Sequence, residues 1–322
     1  MKKIILVGSG EIGSRHLQAI SKLPFKVQIN VVEKNLEKFN IAKKRLRQIN
    51  FDETYHDLRY FQNIDELSEK SDLVIIATNS DIRNEITSNL IKLGHKRFLL
   101  EKIVTQTKND YQSLLKKIET SNAKAWIDMA RSNMKSYQEI KRIFKNSHPI
   151  HMTVNRGNRG LGTNAIHFLN LFSYFCDDYN IFLNGDFLDE KIYPNKRGKK
   201  YVEFSGTLIG KNNFGSTFTI TFSQHNEIPL TISIMGKNKH LIIEEETEQM
   251  YFLKGGKNSK IKFKNELQSS ISTKIISDII KKDDCKLPTL EESSFLHYEL
   301  FKVFNNHLKK FSKIKFKVCP IT

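Results

Sequence analysis

Short apolar runs alternate with amphipathic charged stretches over the first third of the chain. Residues 3–7 read as a short buried strand followed by a glycine-rich turn, and residues 12–21 place Leu17 and Ile20 on one helical face. Val27–Val32 reads as a second strand and residues 36–48 as a charged amphipathic helix. Residues 72–77 (DLVIIA) are apolar without alternation. A strand of that kind is buried on both faces of a parallel sheet. Residues 81–93 form the next helical pattern, opened by acidic Asp81 and stopped by Gly94. A strand at 97–100 and a helix at 110–118 follow. Repeated strand–helix units of this length need right-handed crossovers and an open parallel sheet.

The pattern changes after about residue 121. One more strand (125–128) and a helix (135–144) lead into strand-dominated sequence: 150–155, 201–209, 215–223, 229–235, 239–245 and 249–253. Thr217-Phe218-Thr219-Ile220-Thr221-Phe222 alternates polar and apolar at every step, and Gly210, Gly236, Gly255 and Gly256 punctuate the runs. Strands joined by short turns imply an antiparallel sheet with one covered face. Helices are expected at 164–175, 270–281 and 291–311. The fold class is therefore α/β. A doubly wound parallel sheet occupies residues 1–121, and an α+β domain with a large, open, mainly antiparallel sheet occupies residues 122–322. An open sheet needs cover on its exposed face, so a homo-dimer or homo-tetramer is expected.

Composition agrees with this layout. The chain has 322 residues, 39% hydrophobic and 27% charged, with 22 Phe, enough apolar material for two cores. The net charge is +17, yet basic clusters such as Lys43-Lys44-Arg45 and Lys199-Lys200 are short and scattered. With no continuous basic stripe, no nucleic-acid partner is expected. Cys176, Cys285 and Cys319 show neither CxxC nor Cys/His spacing, so neither a disulfide framework nor a metal is expected. The first apolar run covers only residues 4–7, too short for a signal core, and nothing approaches a membrane span. A cytoplasmic protein with no membrane partner is expected.

The sharpest motif is Gly8-Ser9-Gly10-Glu11-Ile12-Gly13, a GxGxxG between the first strand and the first helix. Gly8 permits the tight turn, Gly10 lets a pyrophosphate approach the backbone, and Gly13 lets helix and strand pack closely. The helix start at Glu11 and Ile12 offers free N–H groups to phosphates. Glu33 follows the last glycine at the spacing of an acid that binds ribose hydroxyls, which favours NAD over NADP.

Four segments together resemble the Gfo/Idh/MocA (glucose–fructose oxidoreductase / inositol 2-dehydrogenase) family: GSGEIGSRH from Gly8 to His16, the strand ending in Thr78, Glu101-Lys102, and the run from Gly160 to Leu171 containing His167. The resemblance covers essentially the whole chain. It leans toward members linked to nucleotide-sugar or surface-polysaccharide metabolism. It implies an N-terminal Rossmann domain, a substrate domain and an NAD(P)-dependent oxidoreductase acting on a sugar, cyclic polyol or sugar nucleotide. Lys102 would act on the reacting hydroxyl and His167 would assist. Thr78 and Asn79 would lie on the nicotinamide side and Glu101 near the ribose. Arg131 and Asn164 are candidate substrate contacts. The chain departs from the family pattern at Ile103 and Asn79, where prolines are usual, and at Thr163 and Asn170, where aspartates are usual. These departures leave open a non-catalytic dinucleotide or sugar sensor on the same fold.

Overall fold

The computed structural model describes residues 1–49 and 55–322. The chain divides into two compact units: Met1–Thr105, Asn109–Ala130 and Leu267–Leu290 form the first, and Gln106–Lys108, Arg131–Glu266 and Glu291–Thr322 form the second.

In the first unit the elements run β1 (Lys2–Val7), α1 (Glu11–Ile20), β2 (Val27–Val32), α2 (Leu36–Arg47), β3 (Asp57–Phe61), β4 (Leu73–Ile76), α3 (Ser80–Lys92), β5 (Arg97–Glu101), α4 (Lys108–Thr120) and β6 (Lys124–Asp128). The six strands make one sheet in the order β3-β2-β1-β4-β5-β6. Every pairing in it is parallel. Ile4 pairs with Ile29 on one side and Leu73 on the other. Central strands covered on both faces cannot alternate, and Ile4, Ile5, Leu6, Leu73, Val74, Ile75 and Ile76 are all fully buried. Each such side chain contributes roughly 1.5–3 kcal/mol by burial. Asn35 caps α2 by accepting from the backbone N–H groups of Glu37 and Lys38, which satisfies two of the helix's free donors.

The second unit continues with α5 (Lys135–Ile143), β7 (His151–Gly157), α6 (Leu161–Cys176), β8 (Ile181–Leu188), β9 (Tyr193–Pro194), β10 (Val202–Glu203), β11 (Gly206–Asn212), β12 (Thr217–Ser223), β13 (Thr231–Gly236), β14 (Lys239–Glu244), β15 (Gln249–Lys254) and β16 (Lys257–Lys262). Eight strands form one sheet in the order β16-β15-β14-β13-β7-β12-β11-β8, and β9 and β10 make a small separate ladder. The large sheet is antiparallel except between β7 and β12. Its inner face carries Met152, Val154, Phe218, Ile220, Phe222, Ile232 and Ile234, all buried. On it α6 sets Phe168 against Phe222 and Phe172 against Phe218, with ring centroids 5.7 and 4.7 Å apart.

Two helices close the chain. α7 (Gln268–Lys282) returns to the first unit, where the Thr273 hydroxyl donates to the Ala19 carbonyl at 2.8 Å. α8 (Ser294–Phe311) belongs to the second, with Phe304 stacked on Phe204 at 4.1 Å.

The fold class expected from sequence is the one observed. Some elements differ from the pattern reading. β3, β8, β9 and β16 carry no clean periodicity. The expected 201–209 strand is broken into β10 and β11, and α6 starts at Leu161, ahead of residue 164.

Candidate active site

The glycine turn joins β1 to α1. Gly8 has φ +90, and its N–H donates to the Val32 carbonyl at 2.9 Å. A side chain there would be strained, and its Cβ would stand 3.2 Å from the Ala77 and Thr78 backbone. A Cβ on Gly13 would lie 1.9 Å from the Gly8 carbonyl oxygen, so only glycine lets α1 sit this close to the turn. Gly10 has nothing within 4 Å of where its Cβ would be, and it caps α1 with no side-chain hydrogen bond. The helix thus opens with free N–H groups beside an unobstructed backbone.

Glu33 follows β2 and reaches back to this turn. Its Oε2 accepts from Ser9 N at 2.8 Å and its Oε1 from Asn35 N at 3.0 Å. Glu11 is exposed and takes part in a bidentate ion pair with Arg45, at 2.8 and 2.7 Å. Its side chain is committed to α2, so its contribution to the turn is the backbone.

The loops after β4 and β5 flank the turn along the carboxyl edge of the sheet. Thr78 Oγ1 is buried with no hydrogen-bond partner among the described residues. Asn79 caps α3 with no side-chain hydrogen bond. The buried Arg83 guanidinium donates to the carbonyls of Thr78 and Ile103 and so ties the two loops together. Lys102 stands at the end of β5, 5% exposed, and the peptide between it and Ile103 is cis.

Beside Lys102 lies a buried charged cluster. His16 Nε2 is 2.7 Å from Glu101 Oε1 and 3.5 Å from Asp128 Oδ2. The parallel register of β5 and β6 pairs Glu101 with Asp128. Burial pushes the Asp128 carboxyl up, the Glu101 charge adds to it, and the His16 charge opposes; the result is about 7. Burial would lower His16, but the hydrogen bond and charge of Glu101, with the charge of Asp128, hold it above its ordinary value. Burial would raise Glu101, yet His16, then Lys102 and Arg83, keep it below the usual carboxylate range. The three donor atoms all lie within 4.8 Å of one another, a span an ion could bridge. Two cations already face the same carboxylate, so a proton balances the cluster better than a divalent ion.

In the second unit His167 lies half-buried on α6. Thr163, one turn earlier, is held by a carboxylate from β10: its N–H and hydroxyl both donate to Glu203, and Asn195 Nδ2 donates to the same carboxylate at 2.9 Å. Glu203 therefore caps the start of α6. The Asn164 amide donates to the Gly160 carbonyl at 2.7 Å. Arg131 makes two 3.1 Å hydrogen bonds to Glu245 and lies over the Phe168 ring at 4.6 Å. The Tyr137 hydroxyl donates to the same carboxylate. Burial would raise Glu245, but the Arg131 guanidinium and this hydroxyl hold it low. Arg131 and Asn164 are thus engaged within their own unit.

Residues 2–129 match the model of the oxidoreductase family with an NAD-binding Rossmann fold, Gfo/Idh/MocA. The matched stretch runs from β1 through β6 and takes in the glycine turn and Lys102, so this part of the chain is similar to that family's NAD-binding domain. Three solved structures share the fold of this chain. An Agrobacterium radiobacter oxidoreductase, in complex with NAD+, L-tartaric acid and magnesium, is 11% identical with a TM-score of 0.75 over 93% of this chain and 94% of its own. A UDP-N-acetylglucosamine 3-dehydrogenase from Acidithiobacillus ferrooxidans is 12% identical with a TM-score of 0.69 over 94% and 96%. The Synechocystis biliverdin reductase, in complex with biliverdin and NADP+, is 13% identical with a TM-score of 0.69 over 92% and 97%. No protein of curated function matches the chain.

The first unit of this chain fits a nicotinamide dinucleotide. Gly10 leaves open room that a side chain would fill, α1 opens with no side-chain cap, and Thr78 Oγ1 is a buried polar atom with no hydrogen-bond partner among the described residues. The protein is an NAD(P)-dependent oxidoreductase. The pattern reading assigned no role to Asp128, Arg83 or Glu203, and quoted His16 only as part of a motif. For His16 and Asp128 a signal existed, a histidine and an aspartate at the ends of apolar segments, but only strand order shows that they meet.

Proposed function

We propose that this chain is a Gfo/Idh/MocA oxidoreductase that transfers a hydride between NAD(H) and a secondary hydroxyl or ketone of a sugar, cyclic polyol or sugar nucleotide. The observation that carries the reading is Lys102, buried at the carboxyl end of β5 on the sheet edge that also bears the glycine turn. In open α/β sheets that edge is where ligands bind. The dinucleotide, when bound, supplies the hydride chemistry at its nicotinamide ring. The chain supplies position and proton transfer.

The N–H groups at the start of α1 would hold the pyrophosphate. Glu33, after β2, would accept from the adenosine ribose hydroxyls, and its charge would oppose a 2′-phosphate, which favours NAD over NADP. Thr78 and Asn79 would line the nicotinamide side. The Lys102 amine would take the proton from the substrate O–H during oxidation and return it during reduction. His167 is assigned the substrate-side role by the motif it sits in. Arg131 and Asn164, with internal partners, carry less of this reading than Lys102. The sugar-nucleotide preference rests on the motif resemblance, and the Acidithiobacillus neighbour gives it a precedent on this fold.

The test is NAD+ reduction, followed at 340 nm, against a panel of UDP-, GDP- and CMP-sugars and free polyols. One compound is expected to turn over, and Lys102→Ala should lower kcat about 100-fold or more while NAD+ still binds. Full turnover by Lys102→Ala would sink the assignment.

A further inference from the structure

We propose that His16 and Asp128 are positioning residues for Lys102, acting through Glu101 as one buried proton-holding unit that fixes the end of β5 and sets the charge the lysine amine faces. The inference rests on the assignment of Lys102 above. Three elements build the unit, His16 from α1, Glu101 from β5 and Asp128 from β6, and all three side chains are buried. His16 Nε2 lies 2.7 Å from one carboxylate and 3.5 Å from the other. Both Asp128 oxygens and His16 Nδ1 lack a hydrogen-bond partner among the described residues. Two carboxyl groups at this distance with one imidazole between them cannot all be ionised and unshared without a large cost. The cluster therefore keeps protons, and the number it keeps determines the net charge beside Lys102.

Lys102 and Arg83, from β5 and α3, act on Glu101, and the Cys285 thiol, in the segment after α7, lies within electrostatic reach of Asp128. Below neutral pH the unit holds an ionised Glu101 balanced by protonated His16, with Asp128 neutral. As Asp128 ionises near pH 7, a negative charge is added beside Glu101, the carboxylate that Lys102 acts on, and through it the amine holds its proton more tightly. The unit thus couples the proton count of the interior to the readiness of Lys102 to accept a proton. That coupling depends on which group is removed. Loss of the His16 charge leaves Glu101 uncompensated and should strengthen the hold of Lys102 on its proton. Loss of the Asp128 carboxyl removes the later negative charge and should weaken it.

The experiment reads Lys102 itself. Full-length protein with 13C-labelled lysine is titrated from pH 5 to 11 by NMR, the Lys102 Cε signal being assigned by its absence in Lys102→Arg. The unsubstituted protein, His16→Gln and Asp128→Asn are compared, with melting temperature as a check on folding. The expected result is a two-step Lys102 titration in the unsubstituted protein. Asp128→Asn should lose the step near neutrality and move the Lys102 midpoint down, and His16→Gln should move it up. Asp128→Asn is isosteric, so it keeps the test decisive where His16→Gln fails to fold. Midpoints that coincide in all folded variants, or that move in the same direction in both, would overturn the proposal, because a merely structural role gives no opposite signs. The titration uses no substrate, so it is decided independently of the turnover assay. A coupled Lys102 with full turnover by Lys102→Ala would overturn only the functional reading.

Discussion

Glu33 ties the glycine turn to the start of α2, because its two oxygens accept from Ser9 N and Asn35 N. A charged acceptor of this kind contributes roughly 1.5–3 kcal/mol and fixes the carboxylate beside the turn, where the proposed function has it meet the ribose hydroxyls. Glu33→Gln keeps the shape and removes the charge. NAD+ affinity should fall about tenfold, a change of about 1.4 kcal/mol, while NADP+ affinity should stay level or rise. Calorimetric titration with both dinucleotides checks this, and a parallel loss of both would show that Glu33 serves only the loop. The buried cluster makes a second prediction at the same scale. His16 and Asp128 both hold protons more tightly in the folded chain than in the unfolded one. Their contribution is therefore complete on the acid side and is lost as pH rises through about 7. Melting temperature should fall as pH rises from about 5 through 7, within the span between the ordinary Asp value of 3.8 and the folded value of about 7, and Asp128→Asn should flatten that fall. An equal slope in the variant would show that Asp128 does not titrate there. The cluster was not readable from the residues alone: His16 and Asp128 are far apart in sequence, and only the adjacency of β5 and β6, with α1 beside them, brings their side chains to one carboxylate.

Elements divide by how they are buried. The β1 and β4 strands were legible because burial on both faces leaves an unbroken apolar run at residues 4–7 and 73–76, whereas β2 (VQINVV) buries Gln28 and Asn30 among its apolar residues. β16 (KNSKIK) was not legible, since all six residues are exposed and no periodicity is imposed on them. β8 was hidden for another reason. Its register against β11 shifts between Thr207 and Ile209, so one extra residue turns the alternation over midway, and Phe182 and Phe187 both face outward although five positions apart. The glycine turn was legible as a motif, and the structure gives its two constraints different weights. Gly13→Ala puts a Cβ into the Gly8 carbonyl and should lower the melting temperature by several degrees, since overpacking of this kind costs roughly 1–3 kcal/mol. A Cβ at position 10 meets nothing within 4 Å in the protein, so with Gly10→Val the melting temperature should hold while NAD+ binding is lost. Calorimetry and thermal unfolding of the pair test the division. A destabilised Gly10→Val would mean that the turn needs glycine there for its own sake.

At the scale of the whole molecule the outer face of the large sheet decides how the chain is used. Phe182 and Phe187 are 53% and 63% exposed, with Ile209 on the neighbouring strand and Met235 further along the same sheet. Large apolar side chains on a sheet face cost free energy in water and are usually covered. The net charge of +17 works against self-association through long-range repulsion, so an assembly must be held by close apolar contact rather than by charge. We expect the sheet faces of two copies to cover one another in a homo-dimer, or pairwise in a homo-tetramer. Phe182→Asp combined with Phe187→Asp should then yield particles of 37.5 kDa by light scattering, where the unsubstituted protein gives a multiple of that mass. Raising the salt should tighten the unsubstituted assembly, because screening removes repulsion and leaves apolar burial intact. A single-chain mass for the unsubstituted protein at micromolar concentration would show that the face is open to water, and the threonines of β12 that share it would then be the groups that keep it soluble.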